Sequence, residues 1–147
     1  MKTRLLEKIK LRIEKRMDTS WQAMEAAKNS ANEEGKSSAG DKYETARAMG
    51  QLDREMNGRM YEQAHQERLL LDKIDQKIVF SKVAFGALVV TSMGQFFVTI
   101  GVGIIEFEGV TIMAISPQSP IGQAIAGKNA GDSFDFRGKI QKIVSIS

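Results

Sequence analysis

Two long segments with the apolar periodicity of an α-helix, separated by a short polar stretch, constrain this chain most. Residues 2–33 contain neither glycine nor proline. Their apolar residues recur at steps of three and four, which is the spacing of one helix face. The same steps resume after GKSSAG (residues 35–40) and continue from Ala46 to Ile78. Because glycine and serine favour turns, the pattern predicts an antiparallel helical hairpin with a tip loop near residues 35–44.

We expect the apolar stripe of each segment to form the contact between the two helices. In the first segment the stripe consists of Leu6, Ile9, Ile13, Met17, Trp21, Met24, Ala27 and Ala31. In the second it consists of Ala46, Met49, Leu52, Met56, Met60, Ala64, Glu67, Leu70, Ile74 and Ile78. A helix of about 30 residues is roughly 45 Å long. Gly50 and Gly58 each cost about 1 kcal/mol relative to alanine, so we predict an arm of low stability.

The periodicity changes near residue 80 from that of helices to that of strands. Valine, isoleucine and phenylalanine become frequent, which favours strands, and glycines mark the turns. We predict strands near residues 84–92, 95–101, 104–108, 110–115, 132–136 and 139–146, with a short helix at about 119–126. The predicted fold class is therefore α+β. A coiled-coil hairpin at residues 1–79 precedes a small antiparallel-sheet domain with one short helix at residues 80–147.

One apolar segment is long enough to span a bilayer. Val83 to Ile105 carries no charged residue, and about 20 apolar residues suffice for a transmembrane helix. However, the segment contains four glycines, and its middle (TSMGQ, residues 91–95) is typical of a hairpin turn. We therefore predict two buried strands and no membrane span. Since the charged N-terminus lacks an apolar signal region, we expect a cytoplasmic protein.

The composition excludes several classes of chemistry. The chain has no cysteine and a single histidine, His65, which rules out thiolate catalysis and zinc–thiolate sites and argues against histidine-based triads. The net charge of +3 does not by itself indicate nucleic-acid binding. Basic residues are nevertheless concentrated at the N-terminus, namely Lys2, Arg4, Lys8, Lys10, Arg12, Lys15 and Arg16. They predict either a solvated helix face or a patch that faces phosphates or acids.

An acidic pair stands where the second helix should begin. Asp41 and Glu44 have the spacing of a capping box, in which the first residue caps the helix. Alternatively, two carboxylates on one side of a helix are ligands that Mg²⁺ prefers. Two are too few for a closed metal site, so the remaining ligands would have to come from a partner macromolecule. The spacing alone is explained by either role.

The chain resembles the bacterial transcript-cleavage factors GreA and GreB in two separate pieces. Gly40, Asp41 and Glu44 match the family's tip, which has Gly-Asp followed three residues later by Glu. SPQSPIGQAIAGKNAGDSF (residues 116–134) resembles the family's Ser-Pro loop, short helix, Gly-Lys and Gly-Asp segment. FGALVVT (residues 85–91) is similar to its first C-terminal strand. The order of hairpin and sheet domain also agrees, so the resemblance covers nearly the whole chain.

This resemblance implies a fold, a partner and a mechanism. The C-terminal domain would be FKBP-like and dock at the rim of the secondary channel of RNA polymerase through Ser119, Pro120 and Ile121. The coiled coil would enter the channel, where Asp41 and Glu44 would help the polymerase bind its second Mg²⁺ and activate water. That water would cleave backtracked nascent RNA. The chain would be a monomer with no cofactor of its own, and it would not be an enzyme in isolation.

Three features leave other functions open. The family continues its tip Glu with Asn-Ala-Glu-Tyr, whereas this chain has Thr45 to Ala48 with the sequence TARA. A channel-binding regulator that modulates polymerase without cleavage is therefore an alternative. The methionine-rich helices also suit a coiled-coil scaffold with no polymerase role. Finally, Lys42, Arg47 and Arg54 either face RNA phosphates or pair with neighbouring acids such as Asp53 and Glu55.

Overall fold

A computed structural model describes the backbone of residues 1–34 and 40–147, and the side chains of residues 1–29 and 44–147. Two long helices come first, α1 (Lys2–Glu34) and α2 (Gly40–Leu71). The remaining elements, in chain order, are β1 (Leu88–Thr91), β2 (Gly94–Val98), β3 (Gly103–Phe107), β4 (Val110–Ile115), α3 (Pro120–Ile125), β5 (Ser133–Phe136) and β6 (Lys139–Ile146). The predicted α+β class, with two long helices before a small sheet and one short helix, is confirmed.

The contacts group these elements into two compact units. One consists of Met1–Arg12 with Leu69–Ser147, and the other consists of Ile13–Arg68. The base of the two long helices thus belongs with the sheet, and the rest of both helices forms a unit of its own. The predicted boundary between residues 79 and 80 stays a prediction. None of the helices in the described parts of the chain is long and apolar enough to cross a membrane.

Within the second unit, α1 and α2 run antiparallel in a constant register. Arg68 contacts Glu14 at 3.0 Å, the rings of Trp21 and Tyr61 lie 5.5 Å apart, and Met24 lies against Gly58. The two residue numbers in every one of these pairs add up to the same value. A constant sum is what two antiparallel helices require, so the predicted hairpin is confirmed over the residues that make these contacts.

The predicted inner face of α2 is wrong over much of its length. Met49, Leu52, Met56 and Met60 are all at least half exposed. The more buried residues of α2 are smaller or more polar: Ala64 is buried, and Gly58, Tyr61 and Arg68, which contact α1, are half-buried. Ala46, Gly50 and Asn57 are half-buried as well. The pairs that join Tyr61 to Trp21 and Arg68 to Glu14 rotate α2 so that its largest apolar side chains face solvent.

The second helix also ends earlier than its apolar pattern predicts. The pattern continues through Ile74 and Ile78, but α2 ends at Leu71. The N–H groups of Asp72, Lys73 and Ile74 donate to carbonyls three residues earlier, at 3.1–3.2 Å, which tightens the end of the helix into turns. Ile74 is buried and Ile78 is exposed. Both residues therefore belong to the connection between α2 and the sheet rather than to a helix face.

The six strands form one sheet in the order β3-β4-β2-β1-β6-β5. Four neighbouring pairs are antiparallel, but β2 and β4 are parallel, with Gln95 opposite Ile112 and Val98 opposite Ile115. The predicted all-antiparallel sheet is corrected at this pair. After β2 the chain forms β3 at the outer edge of the sheet. It then turns back as β4, which lies between β3 and β2 and runs in the same direction as β2.

Two strand pairs are closed by two-residue turns whose residues have positive φ. Glu108 and Gly109 join β3 to β4 with φ of 50° and 78°, and Arg137 and Gly138 join β5 to β6 with φ of 53° and 80°. Positive φ at both positions defines the hairpin turn whose twist matches that of the strands. Glycine at the second position adopts it without the steric strain that a side chain would bring, as the sequence predicts.

The predicted first strand begins four residues late. Residues 84–87 form a turn, in which the Ala87 N–H donates to the Ala84 carbonyl at 3.0 Å, and β1 starts at Leu88.

One face of the sheet packs against α3 and carries a compact apolar core. Its buried members are Val83, Ala87, Val89, Phe96, Val98, Ile115, Ile121, Ile125, Phe134 and Ile143. The apolar segment from Val83 to Ile105 thus supplies the two inner strands β1 and β2, as predicted, and also the start of the edge strand β3.

Candidate functional site

The predicted acidic pair lies at the beginning of α2. This helix starts at Gly40, so Asp41 stands in its first turn and not ahead of it, and residues 40–44 are helical where we predicted loop. Glu44 follows one turn later with an exposed side chain. The side chains of Asp41 and Lys42 lie outside the described residues, and so does the cap predicted for Asp41.

The chain offers no self-contained metal site within its described residues. No group of three or more His, Cys, Asp or Glu side chains converges there in a way that could hold a metal ion. Two carboxylates three residues apart on a helix project to one side. Oxygen ligands of this kind suit Mg²⁺, which also retains water and takes further ligands from substrate phosphates. That Asp41 and Glu44 add ligands to a metal that another molecule already holds stays a prediction.

The residues after Glu44, where the sequence leaves the family pattern, are mostly on the surface. Thr45, Arg47 and Ala48 are exposed, whereas Ala46 is half-buried. Arg54, the other residue predicted to face RNA, is also exposed. The three exposed positions thus form part of the surface beside Glu44. The roles of Arg47 and Arg54 toward RNA stay predictions.

The loop predicted to dock on a partner is held rigidly at the start of α3. Ser119 precedes the helix in extended conformation, its hydroxyl accepts from the Gly122 N–H at 3.1 Å and donates to the Ser116 carbonyl at 2.7 Å. Pro120 takes the first helical position, where a missing N–H does no harm. The two hydrogen bonds of Ser119 therefore hold the loop against the start of α3, and Ser-Pro is a favourable sequence for starting a helix.

The three predicted docking residues differ in what they present to solvent. Pro120 is exposed and Ser119 is half-buried, whereas Ile121 is 7% exposed and belongs to the sheet core. Gln118, which the sequence did not single out, is exposed beside them. The surface of this loop is thus formed by Pro120 and Gln118, while Ile121 anchors the loop from beneath.

Gly122 allows this loop to approach α3 as closely as it does. A Cβ at this position would overlap the Ser116 carbonyl oxygen and lie 2.9 Å from the Pro117 carbonyl oxygen. Backbone atoms cannot yield as the end of a flexible side chain can, so only glycine fits. The glycine in the Ser-Pro-Ile-Gly sequence is therefore required by close packing.

The rest of the segment that carries the resemblance is tied to the sheet. The Gly127 N–H donates to the Val83 carbonyl at 3.0 Å, and the Val83 N–H donates to the Lys128 carbonyl at 2.9 Å. The Asp132 carboxylate accepts from the Asn129 N–H at 2.8 Å, and the Ile143 N–H donates to the Asp132 carbonyl at 2.9 Å. Residues 116–134 therefore form one continuous element that runs from the loop through α3 into β5.

The basic N-terminal residues meet the edge of the sheet. Arg12 donates to the carbonyls of Val102 and Ile104 at 3.2 and 2.6 Å, and Lys8 donates to the Glu106 carbonyl at 2.8 Å. Arg4 forms a 3.1 Å ion pair with Glu108. Residues 4, 8 and 12 of α1 thus contact every second residue along the sheet edge, from residue 102 to residue 108. We predicted a solvated helix face or a patch that faces phosphates or acids. Instead, two of these residues bind backbone carbonyls at the sheet edge and a third pairs with Glu108 in the turn after β3.

No family model matches this chain, and no curated protein matches it. The solved structures that are similar to it include the following two. One is described as the transcription factor Gfh1, with 18% identity over 93% of this chain and 92% of that chain and a TM-score of 0.38. The other is Gfh1 of Thermus aquaticus, with 17% identity over 92% of this chain and 91% of that chain and a TM-score of 0.32. Similarity at this level assigns neither a family nor a function to this chain.

Proposed function

We propose that this protein binds RNA polymerase, inserts its helical hairpin into the secondary channel and promotes cleavage of backtracked RNA. The observation that carries the proposal is an exposed acid, Glu44, at the end of a long antiparallel hairpin, three residues after Asp41. In this role the chain is not an enzyme by itself. It supplies carboxylates, and the polymerase supplies the Mg²⁺, the RNA and the remaining ligands.

The chemistry of the acid pair supports this role. Carboxylates near two metal ions can hold the second ion and help to orient the water that attacks a phosphodiester. Two carboxylates are too few for a closed metal site, so Asp41 and Glu44 are suited to completing a site in another molecule. A helical arm provides the reach, because each residue of helix adds about 1.5 Å.

The loop before α3 supports a separate docking contact. Pro120 and Gln118 are exposed on a loop that the Ser119 hydroxyl and the Gly122 backbone hold in place. A rigid loop loses little conformational entropy on binding. The segment from residue 116 to residue 134, which contains this loop, is also the longest stretch that resembles GreA and GreB.

A second candidate is a regulator that occupies the channel without cleavage. It is favoured by Thr45, Arg47 and Ala48, which replace the family's residues on the exposed surface next to Glu44. A changed surface there could leave Glu44 unable to reach the metal while the arm still blocks the channel. This candidate predicts slower RNA synthesis and competition with a true cleavage factor.

Stalled elongation complexes with labelled RNA distinguish the two candidates. We expect shortened RNA only when the protein, polymerase and Mg²⁺ are all present. Binding to polymerase without shortened RNA, together with slower synthesis, would favour the regulator. If the protein neither binds polymerase nor is recovered with its subunits, both polymerase roles are wrong and the scaffold remains.

A further inference from the structure

The outer face of α2 carries an apolar stripe that nothing in the described residues covers. The stripe consists of Met49, Leu52, Met56 and Met60, here called the methionine stripe, with exposed fractions of 61, 55, 50 and 50%. Steps of three and four residues place the four side chains on one side of the helix. Four large apolar residues in one line exceed the scattered single exposures that are ordinary on a protein surface.

The described residues of the hairpin beneath this stripe form no buried core. Within the second unit, Ile13, Ser20 and Ala64 are buried, whereas no described residue in 21–29 or 44–63 is. The contact between the helices there rests on half-buried residues, with Gly50 and Gly58 on the side of α2 that faces α1. The largest apolar side chains of this region are therefore outside the contact, where covering them would remove apolar surface from water.

The charges beside the stripe are self-complementary. Glu55 and Arg59 are exposed, one turn apart, and by helical spacing lie on the flank of the stripe that is remote from α1. Neither makes an ion pair with any residue that the structure describes. When two copies of α2 pack antiparallel about Met56, Leu52 of one copy faces Met60 of the other. Glu55 then lies about 3 Å along the axis from Arg59 of the second copy, within reach of an ion pair.

A parallel arrangement lacks this match. In that arrangement the flank remote from α1 in one copy meets the flank nearer α1 in the other copy, and the latter flank carries Asp53. Glu55 of one copy would lie beside Asp53 of the other, and like charges placed together are destabilising. In the antiparallel arrangement, by contrast, the two-fold axis makes each favourable contact occur twice, as in any symmetric dimer.

We propose that the protein self-associates through the methionine stripe, with two copies of α2 packed antiparallel about a two-fold axis near Met56. This replaces the monomer expected from the sequence. The apolar periodicity predicted these side chains in the contact inside the hairpin, whereas they are at least half exposed. The proposal goes beyond the polymerase role and does not depend on it, because the protein alone suffices to test it.

The absence of cysteine in the natural chain permits a direct test by single-cysteine variants. We expect Met56→Cys to form a disulfide-linked dimer on mild oxidation of the purified full-length protein. Gln51→Cys is the matched control, because Gln51 is exposed on the opposite side of α2 and should give little dimer. Equal cross-linking at both positions would overturn the proposed placement.

Sedimentation equilibrium with charge variants tests the register. We expect the unmodified protein to reach the mass of two chains as its concentration rises. Glu55→Arg alone and Arg59→Glu alone should each weaken the dimer by roughly tenfold, and the double exchange should restore it. Glu55 and Arg59 are both at the surface, so circular dichroism should show unchanged helix content in these variants. A protein that stays monomeric at every concentration, or a double exchange that fails to recover, would overturn the proposal.

Discussion

Arg12 donates to the carbonyl of Ile104 at 2.6 Å, and the same guanidinium nitrogen reaches Val102 at 3.2 Å. These carbonyls belong to β3 and the residue before it, at the open edge of the sheet. Unpaired carbonyls at an edge invite pairing with another strand, and basic side chains are one of the devices that prevent it. The base of α1 thus closes an edge of the sheet with side chains rather than with a strand.

We expect Arg12→Met to lower the free energy of unfolding by about 1–2 kcal/mol, because it removes charge-assisted hydrogen bonds to the edge carbonyls. Urea denaturation of the full chain measures the change. Arg16→Met is the matched control, since Arg16 is exposed and makes no side-chain contact of this kind with the described residues. Equal losses from both substitutions would show that the edge contact contributes nothing specific.

The loop before α3 gives a second prediction. Gly122→Ala would place a methyl group against the backbone of Ser116 and Pro117, so the loop or α3 must move. We expect a loss of about 1–3 kcal/mol in the free energy of unfolding. Gly101→Ala is the control, because a Cβ there meets nothing within 4 Å. A Gly122→Ala variant as stable as the control would contradict the close packing.

A third prediction concerns Gly58 in the middle of α2. A Cβ there would lie 3.7 Å from the Met24 methyl carbon, which is an ordinary contact. We therefore expect Gly58→Ala to raise the free energy of unfolding by about 1 kcal/mol, because alanine has the higher helix propensity. Ala26→Gly, at an exposed position of α1, should produce a change of similar size and opposite sign. Destabilisation by Gly58→Ala would mean that the helices cannot accommodate even a methyl group.

The sequence was sufficient to predict the order of the strands and the place of α3 because several of their ends are determined locally. Gly109 and Gly138 occupy turn positions with positive φ, and Ser119 with Pro120 marks the start of α3. What it could not predict is which strands become neighbours. The turn between β3 and β4 determines that these two pair, but no local signal places β4 beside β2 in parallel.

The inner face of α2 was mispredicted for a related reason. Two stripes with steps of three and four overlap on this helix, and hydrophobicity favours the one with Met49, Met56 and Met60. The structure uses the other, because Tyr61 and Arg68 have partners on α1 in Trp21 and Glu14. Those pairs join residues far apart in sequence, so no periodicity within α2 could reveal them. The same limit applies to the acid pair, whose spacing suits a cap and a metal ligand equally.

The most direct test of the proposed function is RNA cleavage in stalled polymerase complexes by a variant without the acid pair. Asp41→Asn with Glu44→Gln removes both charges and retains the size of the side chains. Asp18→Asn with Glu25→Gln is the matched control, since both residues are exposed on α1. We predict that the first double variant binds polymerase but produces no shortened RNA, while the control cleaves as the unmodified protein does. Normal cleavage by the variant without Asp41 and Glu44 would contradict the assignment of the acid pair.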